Sequence, residues 1–446
     1  MNYLGIFMAI AIVAASAYYY YKNSNTSAKT INNVENKEDA ASKEQELIAN
    51  KKSNTKTDVK KKSKSAPKQK QKKIRGHHPR FIRRFGGHSE PILDMSISPN
   101  GEWLASAGLD GQLRVKNLVQ KELSMSTNIK YSNTDDNLIL KGNLGKIAWS
   151  PDNLTIVGTL VHSGELAFFR MRKKKDAATS KFPFELIELS KRRFATDSKV
   201  QGDINACVVD YTHSNFLLVL TLSNDPAHGN VSVAWDGTIG QAVGSAILGT
   251  NSGTASSTST CPIRLSPDGK FLCRGGGSSD QVKVYEVEKK KIKGEINPVF
   301  DRISPKGVMT LTAGQKVADV CYFTDDNTSV AVVCCINGLI QVWDLNVEYR
   351  LREDPKRVCE YQLPADESEI THVAGSTTTG ATNRIAVVTA NGSLHLLTYA
   401  NACLVLDFTI DETHEQRVAD VKFCPSGDVV YTRGERSKDV FSWKVS

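Results

Sequence analysis

The sequence predicts an all-β fold, a seven-bladed β-propeller, preceded by a single N-terminal transmembrane helix and a disordered basic linker. Three observations predict it. A cadence of three short strands separated by tight turns returns seven times between residues 81 and 446. Its turns carry Ser-Pro-Asp or Asn-Gly and Asp-Gly pairs, and the glycine pairs supply the positive φ that tight hairpins need. The charge, finally, is lopsided. The whole chain of 446 residues carries +9, yet nineteen Lys and Arg stand against six acids between Lys22 and Phe85, so the remaining chain is mildly acidic.

Residues 1–21 form the first element. Asn2 to Tyr21 contain no charge, and twenty residues of helix rise about 30 Å, the hydrocarbon thickness of a bilayer. Tyr18 to Tyr21 fall where an interfacial aromatic belt belongs, and the basic flank follows them, which orients the body to the cytosol. The alternative is a cleaved signal peptide, because Ala15-Ser16-Ala17 has the small-x-small pattern. Sequons at Asn25, Asn153, Asn230, Asn327 and Asn391 are compatible with that secreted or lumenal reading. A positive n-region is missing, and export of a Lys-rich stretch opposes the positive-inside bias.

Residues 22–80 are poor in apolar groups and cannot offset the entropy of ordering. Lys60, Lys61, Lys62, Lys64, Lys72 and Lys73 mark the dense part. Three roles stay open: a self-repelling spacer, attraction to anionic lipid, and non-specific RNA binding through phosphates. No aromatic interrupts the run, so a stacking platform for single strands is absent from it.

The body begins at residue 81. Its first unit runs from Gly87-His88 through Ser98-Pro99-Asn100-Gly101 to Leu109-Asp110-Gly111 and Leu113-Arg114-Val115. The first turns of the seven units fall near 100, 152, 214, 268, 326, 379 and 426, and polar insertions around 119–141, 172–202, 237–260 and 350–367 read as loops. A lone sheet cannot bury its apolar faces, whereas radial stacking buries them all. Arg80 to Phe85 is expected to supply the outer strand of the last blade, beside Asp439 to Val445, tying the chain ends together.

These residues resemble the WD-repeat family. Gly87-His88 matches its opening pair, and Trp235-Asp236 and Trp343-Asp344 match its closing pair, with Trp443 at the same place in the last unit. The resemblance implies structural roles for His88, Asp110, Trp235, Asp236, Trp343, Asp344 and Trp443, as a hydrogen-bonded core within each blade. No unit keeps the full set: the first has Lys116-Asn117 for Trp-Asp, and the fifth has Gly314-Gln315 for Gly-His. The anchor, spacer and propeller together are similar to the transducin β-like protein 2 family, most specifically over Val342 to Tyr349 with Asp354-Pro355, and over Asp280 to Val287. That resemblance implies an endoplasmic reticulum membrane protein with a cytosolic propeller. It also implies an adaptor role in the unfolded protein response, beside a stress-activated eIF2α kinase.

Catalytic signatures are missing from the sequence: there is no G-x-S-x-G, Walker A, H-E-x-x-H or G-x-G-x-x-G. Gly275-Gly276-Gly277 leads into another strand and reads as a hairpin loop. Nine cysteines without C-x-x-C spacing read as buried hydrophobes, and alternation sends Cys334 and Cys335 to opposite faces. Core hydrogen bonding suits His88 and His414, and surface positions suit His162, His213, His228, His372 and His395. No cofactor is expected. The functional expectation is a non-catalytic scaffold that binds proteins through its faces. The charged stretch with Arg170, Arg172 to Lys175 and Lys191 to Arg193 is a contact surface or a solvated loop. The oligomeric state stays open.

Overall fold

Tight turns of positive φ set the rhythm of the backbone. Gly101 and Gly427 (φ 72° and 74°) close first turns, and Gly111 and Gly392 (φ 69° and 94°) close second turns. At Gly392 a Cβ would also stand 2.4 Å from the carbonyl oxygen of His414, so space and φ both demand glycine. The structure, a computed structural model, describes residues 78–445 other than 121–123, 129, 134–137, 161–164, 176–183, 194–203, 214–215, 226–228, 237–240, 248–262, 275–278, 291–298, 305–306, 326–327, 349–350, 352, 365–368 and 377–382. Between 204 and 247 it describes the backbone alone. The anticipated membrane segment 1–21 and the six linker lysines lie outside the described residues, among which no helix is long and apolar enough to cross a membrane.

Among the described residues the chain is all strand, in antiparallel sheets. Strand β1 (Phe81–Phe85) belongs to the last sheet. The first sheet is β2 (Ile92–Ile97), β3 (Trp103–Gly108), β4 (Gln112–Asn117) and β5 (Ser124–Asn128), in that spatial order. A two-stranded hairpin follows, β6 (Lys130–Asn133) with β7 (Leu138–Lys141). Then come β8 (Leu144–Trp149), β9 (Thr155–Leu160), β10 (Glu165–Lys173) and β11 (Phe184–Arg193). The third sheet is β12 (Ile204–His213), β13 (Phe216–Asp225), β14 (Gly229–Asp236) and β15 (Gln241–Ile247). In the fourth, β16 (Ile263–Leu265), β17 (Phe271–Arg274) and β18 (Gln281–Lys290) carry a divided outer strand. Here β19 (Val299–Ile303) pairs one end of β18, and β20 (Met309–Thr312) pairs the other. The fifth is β21 (Val317–Asp325), β22 (Thr328–Cys335), β23 (Leu339–Asp344) and β24 (Lys356–Gln362). The sixth is β25 (Ile370–Gly375), β26 (Asn383–Thr389), β27 (Leu394–Ala400) and β28 (Cys403–Ile410). The last is β29 (Val418–Phe423), β30 (Val429–Gly434) and β31 (Val440–Lys444), completed by β1.

One expectation needs correction here. The insertions around 119–141, 172–202, 237–260 and 350–367 were expected to be loops, yet they hold outer strands β5, β11, β15 and β24, and also the β6–β7 hairpin. An outer strand faces solvent along one edge, so β24 alternates between exposed and half-buried residues and shows no apolar period to read. Arg172 and Lys173 accordingly sit on β10, and Arg172 pairs across the ladder with Glu185 of β11 at 2.7 Å.

Each first strand neighbours the first strand of the next sheet: β2 with β8, β8 with β12, β12 with β16, β16 with β21, β21 with β25, β25 with β29, and β29 again with β2. Apolar layers fill the seams. Trp103, Leu113 and Val115 meet Leu144, Ile156 and Phe169 between the first two sheets, and Phe85, Tyr431 and Val440 meet Ile92, Met95 and Leu104 between the last and the first. Cys334 and Cys335 point into different seams, as alternation requires. β1 runs antiparallel to β31 with Phe81 opposite Trp443 and Phe85 opposite Val440. The Phe81 ring meets Trp443 edge-on at 5.4 Å, and the Arg80 guanidinium covers Phe408 at 3.8 Å while donating to the Val445 carbonyl at 2.9 Å. We expect Phe85→Ala to lower unfolding free energy by about 3 kcal/mol, and Ile82→Ala, half in water, to leave it nearly unchanged, read from urea denaturation.

Candidate functional site

Five of the first strands begin with an apolar residue followed two positions later by an ionisable one. A register shift recurs at that point: Ile92/Asp94, Leu144/Lys146, Ile204/Ala206, Val317/Asp319, Ile370/His372 and Val418/Asp420. The bulge re-aims one side chain per strand. Asp94, Lys146, Arg264, Asp319, His372 and Asp420 thus place ionisable groups on six of the first strands, β2, β8, β16, β21, β25 and β29. Of these, the sequence reading singles out His372 alone, and places it at the surface. The sequence signal is apolar-x-ionisable at the start of five units.

The carboxylates of this succession stitch one sheet to the next. Asp94 accepts the amide of Ile147 at 2.8 Å, and Lys146 Nζ stands 3.6 Å from it. Asp319 accepts the amide of Val373 at 3.2 Å and the Arg264 guanidinium at 3.2 Å. Burial disfavours the charge of Arg264, but Asp319, Asp420 and the Cys273 and Cys321 sulfurs together outweigh it and raise its pKa. Asp420 is buried, which favours its neutral form, yet Lys422, Arg433 and nearby His372 together hold its carboxyl well below the usual range. Its Oδ1 lies 3.4 Å from Lys422 Nζ, while Oδ2 has no hydrogen-bond partner.

The repeat residues foreseen from the sequence lie elsewhere, in the sheets and seams. His88 Nδ1 meets Asp110 Oδ1 at 3.0 Å, and His88 Nε2 meets Ser106 Oγ at 2.9 Å. Asp110 also accepts the amides of Ser89 and Gln112 at 3.0 and 3.2 Å. Burial opposes ionisation of Asp110, but its hydrogen bonds with His88 and those amides leave the carboxyl below its ordinary range; burial depresses His88 against the pull of Asp110. In the last sheet His414 Nε2 meets Thr432 Oγ1 at 2.9 Å, and Trp443 Nε1 donates to the same oxygen at 2.8 Å. The first unit thus keeps His, Ser and Asp with Lys116 for Trp, and the last keeps His, Thr and Trp with Arg436 where an Asp would stand. Ser106 and Thr432 were not foreseen, although each follows its His by the same interval. In the fifth unit Trp343 Nε1 is buried without a hydrogen-bond partner, because Gln315 and Val333 stand where His and Ser would be. Asp344 accepts the amide of Asn346 at 2.8 Å, a turn contact. Trp235 and Asp236 lie on β14, but their side chains are outside the described ones.

His372 and His395, expected at the surface, are corrections. His395 is fully buried on central strand β27, with Nδ1 3.0 Å from Thr409 Oγ1; His372 sits between Asp319 and Asp420 on the neighbouring inner strands. A histidine in an otherwise apolar strand gives no sign of which face it takes. His162 and His228, and the Gly275 to Gly277 loop, lie outside the described residues, as does the side chain of His213. Burial pushes the Cys273 thiol up to about 12 and the Cys335 and Cys359 thiols to about 11, so these sulfurs stay protonated and pack as hydrophobes. Among the described residues no cluster of three His, Cys, Asp or Glu could hold a metal ion.

Thr432→Val would remove the one oxygen shared by His414 and Trp443. We expect a loss of about 2 kcal/mol, against about 1 kcal/mol for Ser106→Ala, both by chemical denaturation. Burial depresses His372 and His395 to about 4 in the folded chain. The unfolded state therefore binds more protons between about pH 6.5 and pH 4, and the stability these residues contribute is full above that window and lost as pH falls through it. We expect the urea midpoint to fall over this window in the native chain, with a shallower fall in His395→Gln.

The WD domain, G-beta repeat family matches residues 79–115, the first unit with its His88 and Asp110, and stops short of Lys116. Transducin beta-like protein 2 of Homo sapiens is 24% identical over 363 residues, covering 79% of this chain and 70% of that protein. The protein of the same name from Mus musculus is 26% identical over 282 residues, covering 62% of this chain and 54% of its own length. A chain of the solved mitotic checkpoint complex superposes with a TM-score of 0.55 at 14% identity, covering 88% of this chain and 99% of its own, which speaks for the fold alone. The chain is a WD-repeat β-propeller protein similar to transducin beta-like protein 2.

Proposed function

We propose that this chain is a seven-bladed propeller acting as a non-catalytic protein-interaction scaffold, held at the endoplasmic reticulum membrane by residues 1–21 with its propeller in the cytosol. One observation carries the scaffold reading: the succession of first strands returns to its start, and β1 joins β31, so loops are presented on a closed frame. Chemistry is disfavoured by the state of the candidate groups. The inward carboxylates Asp94 and Asp319 are committed to backbone amides, and the buried thiols are neutral. The uncharged stretch Asn2 to Tyr21, with basic residues after it, supports the anchor and its orientation. The similarity to transducin beta-like protein 2, extending over 79% of the chain, supports the scaffold reading, and the adaptor role in unfolded-protein-response signalling beside an eIF2α kinase is what the family resemblance of Val342 to Tyr349 and Asp280 to Val287 implies.

In intact microsomes, protease added outside is expected to digest a C-terminal tag without detergent; protection of that tag would instead favour the lumenal reading. Proximity labelling from the C-terminus during endoplasmic reticulum stress is expected to enrich an eIF2α kinase over a membrane-matched control. RNA is the competing partner. Salt-sensitive RNA binding abolished by deleting residues 51–75, without kinase enrichment, would replace the adaptor role.

A further inference from the structure

Each sheet ends in an outer strand, and among the described residues no strand lies beyond it. An open edge is a template for another chain unless charge or irregularity spoils it. β1, β11, β19 and β24 each carry two or more charged side chains. β5 and β20 are uncharged but only five and four residues long, and β15 is made mostly of Ala, Gly and Ser. β28 differs from all of these. It runs for eight residues with Asp407 as its single charge. That carboxylate is held within the sheet, where it accepts the Thr398 hydroxyl at 2.6 Å. Val405, in the middle of the strand, is 56% exposed.

The hairpin turn fixes which backbone groups of β28 look outward. Asn401 and Ala402 both have positive φ (52° and 57°), the mark of a two-residue type I′ turn. Ala400 and Cys403, opposite each other across that turn, therefore form a hydrogen-bonded pair. Alternation then directs the N–H and C=O of Val405 toward β27, and those of Leu404 and Leu406 away from it. The side chains of Leu404 and Leu406 pack in the seam with the fifth sheet, so their backbone is what reaches the rim. The Leu404 amide leans on the Cys359 sulfur, a weak acceptor that a carbonyl oxygen would displace. Past Leu406 the register slips, with Leu397 facing Leu406 and Leu396 facing Phe408. That bulge bends the strand and ends its regular edge.

We propose that the chain forms a homodimer in which β28 pairs antiparallel with β28 of a second copy, centred on Val405. In that register Leu404 of each copy exchanges backbone hydrogen bonds with Leu406 of the other. The two Val405 side chains then face each other in a non-hydrogen-bonded pair, the closer of the two spacings, and cover one another's apolar surface. The contact is its own complement, as a two-fold interface must be. No like charges meet across it, because Cys403 stands opposite Asp407. The ladder is short, so the dimer is weak and dissociates on dilution. It stands apart from the scaffold reading, since it occupies the rim and leaves both faces of the propeller free.

The test is sedimentation equilibrium of the full-length protein in density-matched detergent micelles. The native chain is expected to pass from monomer to dimer as its concentration rises. Val405→Lys, a charge at an exposed position, should weaken dimerisation roughly tenfold or more with the thermal midpoint unchanged. Leu189→Lys, equally exposed on outer strand β11 of the second sheet, should match the native chain. In a Cys403→Ser background, diamide should join Val405→Cys chains through a disulfide, because a non-hydrogen-bonded antiparallel pair stands within disulfide reach. Leu189→Cys in the same background should stay unlinked. A native chain that remains monomeric, or a dimer that survives Val405→Lys, overturns the proposal. Loss of the dimer in Val405→Lys without the Val405→Cys crosslink overturns the antiparallel register and this pairing with it.

Discussion

A four-stranded sheet standing in water leaves two apolar faces uncovered, and stacking sheets in a row only moves the problem to the two ends. Here the row bends until its ends meet, and the joint is made by the chain itself: β1 completes the sheet whose other three strands lie more than 300 residues later. Phe85 then fills the seam between the last sheet and the first, alongside Tyr431, Val440 and Met95. If this closing ladder were lost, that seam would open and its apolar layer would meet water on both sides.

Two kinds of polar stitching reinforce the apolar seams, and they run in different directions. The His–Ser–Asp and His–Thr–Trp sets fix strands within one sheet, joining the approach to the first strand with the second and third strands. The Asp94–Ile147 and Asp319–Val373 contacts instead cross from one first strand to the next. The incomplete sets show how much redundancy the fold tolerates. Trp343 keeps its indole N–H buried without an acceptor, and its ring still packs in the layer shared with Tyr322 and Val333. Packing carries the architecture, and the repeat's hydrogen bonds refine it.

The central three strands of each unit were legible because they alternate apolar and polar residues between glycine turns, as in Leu104 to Val115. The closing strand was legible too, because Phe81 and Phe85 are apolar residues at the edge of a basic segment with nothing else to cover them. Outer strands such as β24 were not: an edge strand has too little burial to impose a pattern. The ionisable succession was hidden for another reason. Asp94, Asp319 and His372 are short polar interruptions of apolar strands, and a single sequence cannot distinguish an inward carboxylate that binds a neighbouring amide from one that faces solvent. Lys116 is legible only as a residue standing where the repeat's Trp would be.

The position of β1 also gives the molecule a mechanical polarity. Any tension entering through the polypeptide ahead of residue 78 arrives at the β1–β31 ladder before it reaches another sheet. The first hydrogen bonds to carry that load include the one from the Lys444 amide to the Arg80 carbonyl, 2.7 Å long, beside the Arg80 grip on Val445. A domain closed by an internal strand would pass such a pull around its rim. Here the clasp of the ring is also its handle.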